Sequence, residues 1–196
     1  SSTMQASRRP ARVLAATILG LALAPPTALA AEPGLHAARI TEANATRLLP
    51  GGPDAIGGVG DWALVNGTLC AVISDSSHES ILSAGGGFLV DLGHCGRDDD
   101  QFNILHLLLN ASQEQVPETG EIAAQSSDGE ARIVTEGVLE GLAVTTTYAL
   151  DLVDPTVLRI RSELRRVADG PRVKMLSDVS IQGDGSLRAF IEQMTQ

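Results

Sequence analysis

Asp61-Trp62-Ala63-Leu64-Val65-Asn66-Gly67-Thr68-Leu69-Cys70-Ala71-Val72-Ile73-Ser74 decides the fold class. Two β-prone apolar runs flank an Asn-Gly pair, the dipeptide that tolerates the positive φ angles of a type I′ hairpin turn. The stretch predicts antiparallel strands near 61–65 and 68–74. Further along, Gly85-Gly86-Gly87 opens the run Phe88 to Leu92, a third strand ending at Gly93. Phe102 to Asn110 is short and continuously apolar, which fits either a buried strand or two helical turns.

From Glu121 onward the pattern becomes a meander. Residues 121–126 and 130–136 are joined by Asp128-Gly129, a second tight-turn dipeptide. Leu142, Val144, Thr146, Tyr148 and Leu150 alternate with smaller residues, a period of two. After Asp154-Pro155, Leu158, Ile160 and Leu164 alternate with Arg159, Arg161, Glu163 and Arg165, a strand with one charged face. Gly170-Pro171 turns the chain into Val173, Met175, Ser177, Val179 and Ile181. Strands with one apolar face, joined by short turns, predict an all-β, antiparallel β-sandwich packed on one side of each sheet. We assign it residues 51–196, with 31–50 as a linker or lead-in segment. After Gly183-Asp184-Gly185, the stretch Leu187 to Gln196 begins a new element and stops, so the natural protein is expected to continue.

The N-terminus carries an export pattern. Met4 starts the expected reading frame, and Arg8, Arg9 and Arg12 form a basic region. Val13 to Ala24 is apolar, Pro25-Pro26 breaks it, and Ala28-Leu29-Ala30 places small residues where a signal peptidase cuts. A membrane span needs about 20 apolar residues, so this run is too short. Residues 1–30 therefore read as a signal peptide, and the protein as exported to the periplasm or beyond, with no stable membrane span after cleavage.

The 196 residues hold 14 Lys and Arg against 24 Asp and Glu, a formal charge of −10. Removing residues 1–30 with their three arginines leaves 11 basic against 24 acidic side chains, a charge of −13. The aromatic side chains are Trp62, Phe88, Phe102, Tyr148 and Phe190. An acidic body with few rings repels phosphates and stacks poorly on bases, which argues against nucleic acid. Cys70 and Cys95 would meet an oxidising compartment, where a bridge stabilises by about 3 kcal/mol. Two buried free thiols are the alternative.

Two polar loops hold metal-ligand residue types. One is Asp75 to Ser80, with His78 and Glu79; the other is Asp91 to Asp100, with His94 and Asp98. His78, Glu79, His94 and Asp98 are the candidate ligands for Zn²⁺, and the carboxylates alone for Ca²⁺. Neither loop has the spacing of a known metal motif, and Asp98-Asp99-Asp100 fits a solvated turn. Gly51 to Gly60 is Gly-rich but lacks the Lys-Ser/Thr of a phosphate loop, so it reads as a lead-in to the hairpin. His106, inside an apolar run, fits a hydrogen-bonded core residue. No Gly-x-Ser-x-Gly elbow occurs, and no catalytic residue is assigned.

The run Gly58 to Ile73, followed by Gly86-Gly87-Phe88-Leu89-Val90-Asp91, resembles the N-terminal β-rich region of exported bacterial proteins that carry a PHP-type (CehA/McbA-like) metallohydrolase domain. The resemblance covers about residues 45–110. It implies a scaffold or recognition region here and a C-terminal hydrolase domain in the same natural protein. No His-x-His pair occurs in this chain, so no catalytic residue carries over. Strands 142–150 and 156–166 are also similar in style to those of galactose-mutarotase-like supersandwiches, which implies half of such a fold at most. Two functions are expected from these readings. One is a non-catalytic β-domain of a larger exported protein, without a cofactor. The other is a metal-dependent hydrolase or carbohydrate-active enzyme built around His78, Glu79, His94 and Asp98.

Overall fold

Two patterns of apolar residues build two kinds of sheet in this computed structural model. The chain divides into the units Ser1–Ala30 and Ala31–Gln196. The structure describes residues 34–78, 85–110, 116–170, 172–174 and 176–182, with the backbone alone for His106 and for 176–182. Residues 1–30, expected to be a signal peptide, lie outside the described residues, as do Glu79, Pro171, Met175 and the segment 183–196.

The elements in chain order are β1 (His36–Arg39), α1 (Ala45–Leu48), β2 (Trp62–Val65), β3 (Leu69–Ile73), β4 (Leu89–His94), β5 (Phe102–Leu109), β6 (Glu118–Ser126), β7 (Glu130–Leu139), β8 (Leu142–Asp151), β9 (Arg159–Arg166) and β10 (Leu176–Gln182). One sheet has the order β1-β2-β3-β4-β5-β10 and the other β6-β7-β8-β9. All neighbouring strands run antiparallel. The fold is an all-β, sandwich-like pair of antiparallel sheets. Among the described residues, no helix is long and apolar enough to cross a membrane.

Between the sheets, Leu64, Ala71, Ile73 and Leu89 pack with Ala131, Ile133, Tyr148 and Leu150. Leu109 meets Leu139, Leu142 and Val144 in a second cluster. The four-stranded sheet is apolar on that face only. Along β7, Ala131, Ile133 and Thr135 are buried while Arg132 and Glu136 are exposed, as one-sided packing requires.

The six-stranded sheet departs from one-sided packing. Ala63, Val72, Val90 and Ile104 point away from the sandwich interior and pack under Ile40 and Leu48. All five residues of β3 are therefore buried. Its unbroken apolar run reflects burial on both faces. The same two-sided environment explains β5, which is a strand although its sequence lacks alternation.

Two local expectations change. Within 31–50, β1 pairs with β2 from His36↔Val65 to Arg39↔Trp62, so part of the expected linker is a strand of the sheet. The hairpin at Asn66-Gly67 is not type I′. Asn66 donates its N–H to the Leu69 carbonyl across the loop Gly67-Thr68, and the positive φ falls on Gly67 (84°), the first central residue, as in a type II′ turn. The turn with two positive φ angles lies elsewhere, at Glu140 (49°) and Gly141 (77°), between the paired residues Leu139 and Leu142.

Candidate functional site

His78 sits in the turn after β3, its Nδ1 2.9 Å from both carboxylate oxygens of Asp61. Asp61 is buried and already accepts the backbone N–H groups of Gly58 and Asp75, each at 2.8 Å. His94 ends β4, and its Nδ1 lies 2.8 Å from Asp99 Oδ2 on the surface. The backbone N–H of His94 also donates to Asp99, and this bond leads the interactions that hold the Asp99 carboxyl below its ordinary range.

The two histidines do not converge. His94 pairs with Leu69 at the start of β3, whereas His78 follows Ile73 at its other end. Antiparallel return of the chain through β4 carries His94 back toward the hairpin, away from His78. Asp98 is exposed and bridges in parallel to Gly51, and Glu79 lies outside the described residues. Among the described residues, no three His, Cys, Asp or Glu side chains are grouped to hold a metal. Of the expected ligands His78, Glu79, His94 and Asp98, the structure sets His78 and His94 apart by the length of β3.

Most buried acidity lies under the Gly-rich loop instead. Asp91, on β4, is fully buried, and its two oxygens accept the N–H groups of Ile56 and Gly57, each at 2.9 Å. A Cβ at residue 57 would collide with Asp91 Oδ2 and Val72, so only glycine lets the loop approach this closely. Burial pushes the Asp91 carboxyl up to about 6 against the pull of the two amides, and the charges of Asp100 and Asp61 add to the rise.

Asp100 is also fully buried. Its Oδ1 accepts the N–H groups of Leu92 (3.0 Å) and Phe102 (3.1 Å). Burial raises its carboxyl, and Asp54 and Asp99 raise it further. The expected solvated turn describes Asp98 and Asp99, which are exposed, but not Asp100.

Sequence reasoning gave these carboxylates no structural role. The available signal was an aspartate set in the apolar run Phe88-Leu89-Val90-Asp91-Leu92, where a charge is tolerated only with partners.

Cys70 on β3 and Cys95 just beyond β4 are joined as a disulfide, their Cα atoms 5.0 Å apart. Trp62 donates its indole N–H to Asp75 (3.2 Å), and the Arg39 guanidinium lies 5.7 Å from the Trp62 ring centroid. Burial opposes ionisation of Asp75, but hydrogen bonds from Ser77 and Trp62, with the Arg39 charge, outweigh it and lower its carboxyl.

A cleft between the sheets is lined by Phe88, Leu105, Leu107, Thr135, Thr146 and Tyr148 among others, with no Asp, Glu, Lys or Arg among the described residues of its wall. Thr146 and Ser162 share a hydrogen bond of 2.9 Å there, and the Tyr148 hydroxyl donates to the Gly87 carbonyl at 3.2 Å.

Set against protein-family models, curated proteins and solved structures, the chain matches none. Chemistry must therefore be argued from the side chains. The carboxylates mainly accept backbone N–H bonds, and the cleft has only hydroxyls and hydrocarbon. That arrangement can hold loops and present surfaces. Among the described residues, the buried carboxylates stand apart from the cleft, where the Tyr148 hydroxyl is held by the Gly87 carbonyl.

Proposed function

We propose that this chain is a non-catalytic β-sandwich, the scaffold or recognition region of a larger exported bacterial protein. One observation carries the reading: the acid–base groups and the inter-sheet cleft occupy different places, and most of the buried carboxylate oxygens accept backbone N–H groups. The disulfide supports export, because such bonds persist in oxidising compartments. Cleavage after Ala30 would then leave a product beginning at Ala31, which N-terminal sequencing of exported material reads directly. An exported product that retains Met4 would contradict it.

A hydrolytic role has one observation in its favour. Asp61 orients the His78 ring as a carboxylate orients a general base, with the imidazole part-exposed. Assays of the purified chain on phosphodiester and ester substrates, with and without Zn²⁺ or Mn²⁺, separate the two readings. The scaffold reading expects no turnover. Metal-dependent turnover that disappears in both His78→Ala and His94→Ala would replace it with the hydrolase.

A further inference from the structure

We propose that a divalent cation, Ca²⁺ by its ligand chemistry, binds between the carboxylates of Asp54 and Asp100, where the Gly-rich loop meets the start of β5. The inference is independent of the scaffold reading. Among the described residues, the buried side-chain polar atoms without a hydrogen-bond partner are Asp54 Oδ2 and Asp100 Oδ2. Both are carboxylate oxygens, and they belong to segments lying side by side. The Asp100 N–H donates to the Gly51 carbonyl at 3.0 Å, and the Asp54 N–H points at the Asp100 carbonyl at 3.5 Å.

Asp100 is 0% exposed, with Oδ1 saturated by two amides and Oδ2 left over. Asp54 Oδ1 has a long contact with Asn103 Nδ2 at 3.5 Å, and its Oδ2 has nothing. Buried polar atoms in folded proteins are nearly always paired, and an orphaned carboxylate oxygen is costly. Two such orphans on adjoining segments, with the Asp54 charge acting on Asp100, point to one missing positive partner that serves both.

Among the described residues, the charges that act most strongly here are negative. The charged groups acting on Asp100 are Asp54 and Asp99, and Asp100 in turn acts on Asp91; all are acidic. The nearby Arg97 side chain is exposed, and its backbone carbonyl, not its guanidinium, meets the loop at Gly51. Among the described residues, no third His, Cys, Asp or Glu completes a ligand set. A zinc ion, which takes three or four protein ligands with nitrogen or sulfur preferred, fits poorly. Ca²⁺ accepts carboxylates, backbone carbonyls and water together, six to eight oxygens in all. An ion here would tie Asp54, and with it the loop covering Val72, to the root of β5.

The test uses the whole 196-residue chain, treated with EGTA and titrated with CaCl₂ at pH 7.5 by calorimetry and by thermal melting. One ion per chain is expected, with the melting temperature raised by roughly 5 °C at saturating Ca²⁺. Asp54→Asn and Asp100→Asn should each weaken binding at least about tenfold, the effect of losing one charged ligand, while Asp98→Asn on the surface nearby leaves it unchanged. Asp54 is only part-buried and its side chain has one long contact, with Asn103, so Asp54→Asn remains informative if Asp100→Asn fails to fold. Absence of binding by the wild-type chain overturns the proposal, and so does binding that Asp98→Asn abolishes and Asp54→Asn spares. Stabilisation on acidification without any response to Ca²⁺ would mean that a shared proton neutralises the pair, which also overturns it.

Discussion

Asn66 joins the two sheets: its side-chain amide N–H groups donate to the carbonyls of Asp151 and Pro155, each at 2.9 Å, across 85 and 89 residues of sequence. Its Oδ1 accepts the N–H groups of Thr68 and Leu69 at 3.0 and 2.8 Å. One buried side chain therefore shapes the β2–β3 hairpin and clamps it to the β8–β9 turn. Replacing Asn66 by Ala strands two donors and two acceptors at once. We expect a loss of about 3 kcal/mol, from roughly 1 kcal/mol per bond with the desolvation cost added. Urea unfolding measures it, and a loss below about 1 kcal/mol would mean that water replaces the clamp.

Asp91 sets the expected pH dependence. Its folded carboxyl is raised to about 6 from an ordinary 3.8, so the folded state holds more protons than the unfolded chain between those values. Stability from this group is complete below about pH 4 and falls as pH rises through about 6. Asp100 shifts in the same direction. A rise of this size corresponds to about 3 kcal/mol. In EGTA, the wild-type urea midpoint should climb from pH 7 to pH 4.5, and Asp91→Asn should flatten that slope. A midpoint that drops over this range in wild type would refute the assignment.

The disulfide closes a 25-residue separation between β3 and the end of β4. Its loss in Cys70→Ser/Cys95→Ser should cost about 3 kcal/mol, since a loop of this length restricts the unfolded chain by that amount. The melting temperature should fall by roughly 6–12 °C. An unchanged melting temperature would show that the adjoining ladder, with Cys70 opposite Gly93, already fixes this corner.

Glu140 holds φ +49° in the β7–β8 turn, a region that Asn tolerates better than Glu. Glu140→Asn should therefore stabilise by about 0.5–1 kcal/mol. A destabilised variant would indicate that the Glu140 side chain has a role of its own.

These residues also mark what was legible in the sequence. β7, β8 and β9 could be read because a sheet with one wet face forces alternation, as Ile133, Thr135 and their exposed neighbours show. β5 remained ambiguous because packing on both sides of its sheet removes that alternation. The Glu140-Gly141 turn was hidden because Glu is a poor turn former, while Asn66-Gly67 carried the stronger local signal for the wrong turn type. Asn66 owes its place to a carbonyl 85 residues away, and no local pattern encodes that. Asp91 and Asp100 looked like polar loop residues because their partners, Ile56 and Gly57 for one and Leu92 for the other, donate backbone N–H groups. Backbone donors leave no trace in side-chain identity. His78 and His94 looked like a pair in the sequence, yet the length of β3 separates them.

Asp61, Asp91 and Asp100 anchor backbone N–H groups, and amide hydrogen exchange reads that anchoring residue by residue. Ile56 and Gly57 lie in a loop without ladder bonds, so Asp91 is what protects them. Their N–H groups should exchange at least about a hundredfold more slowly than free loop amides, and Asp91→Asn should speed both selectively. Exchange of Ile56 and Gly57 at the free-loop rate in the wild-type chain would contradict it.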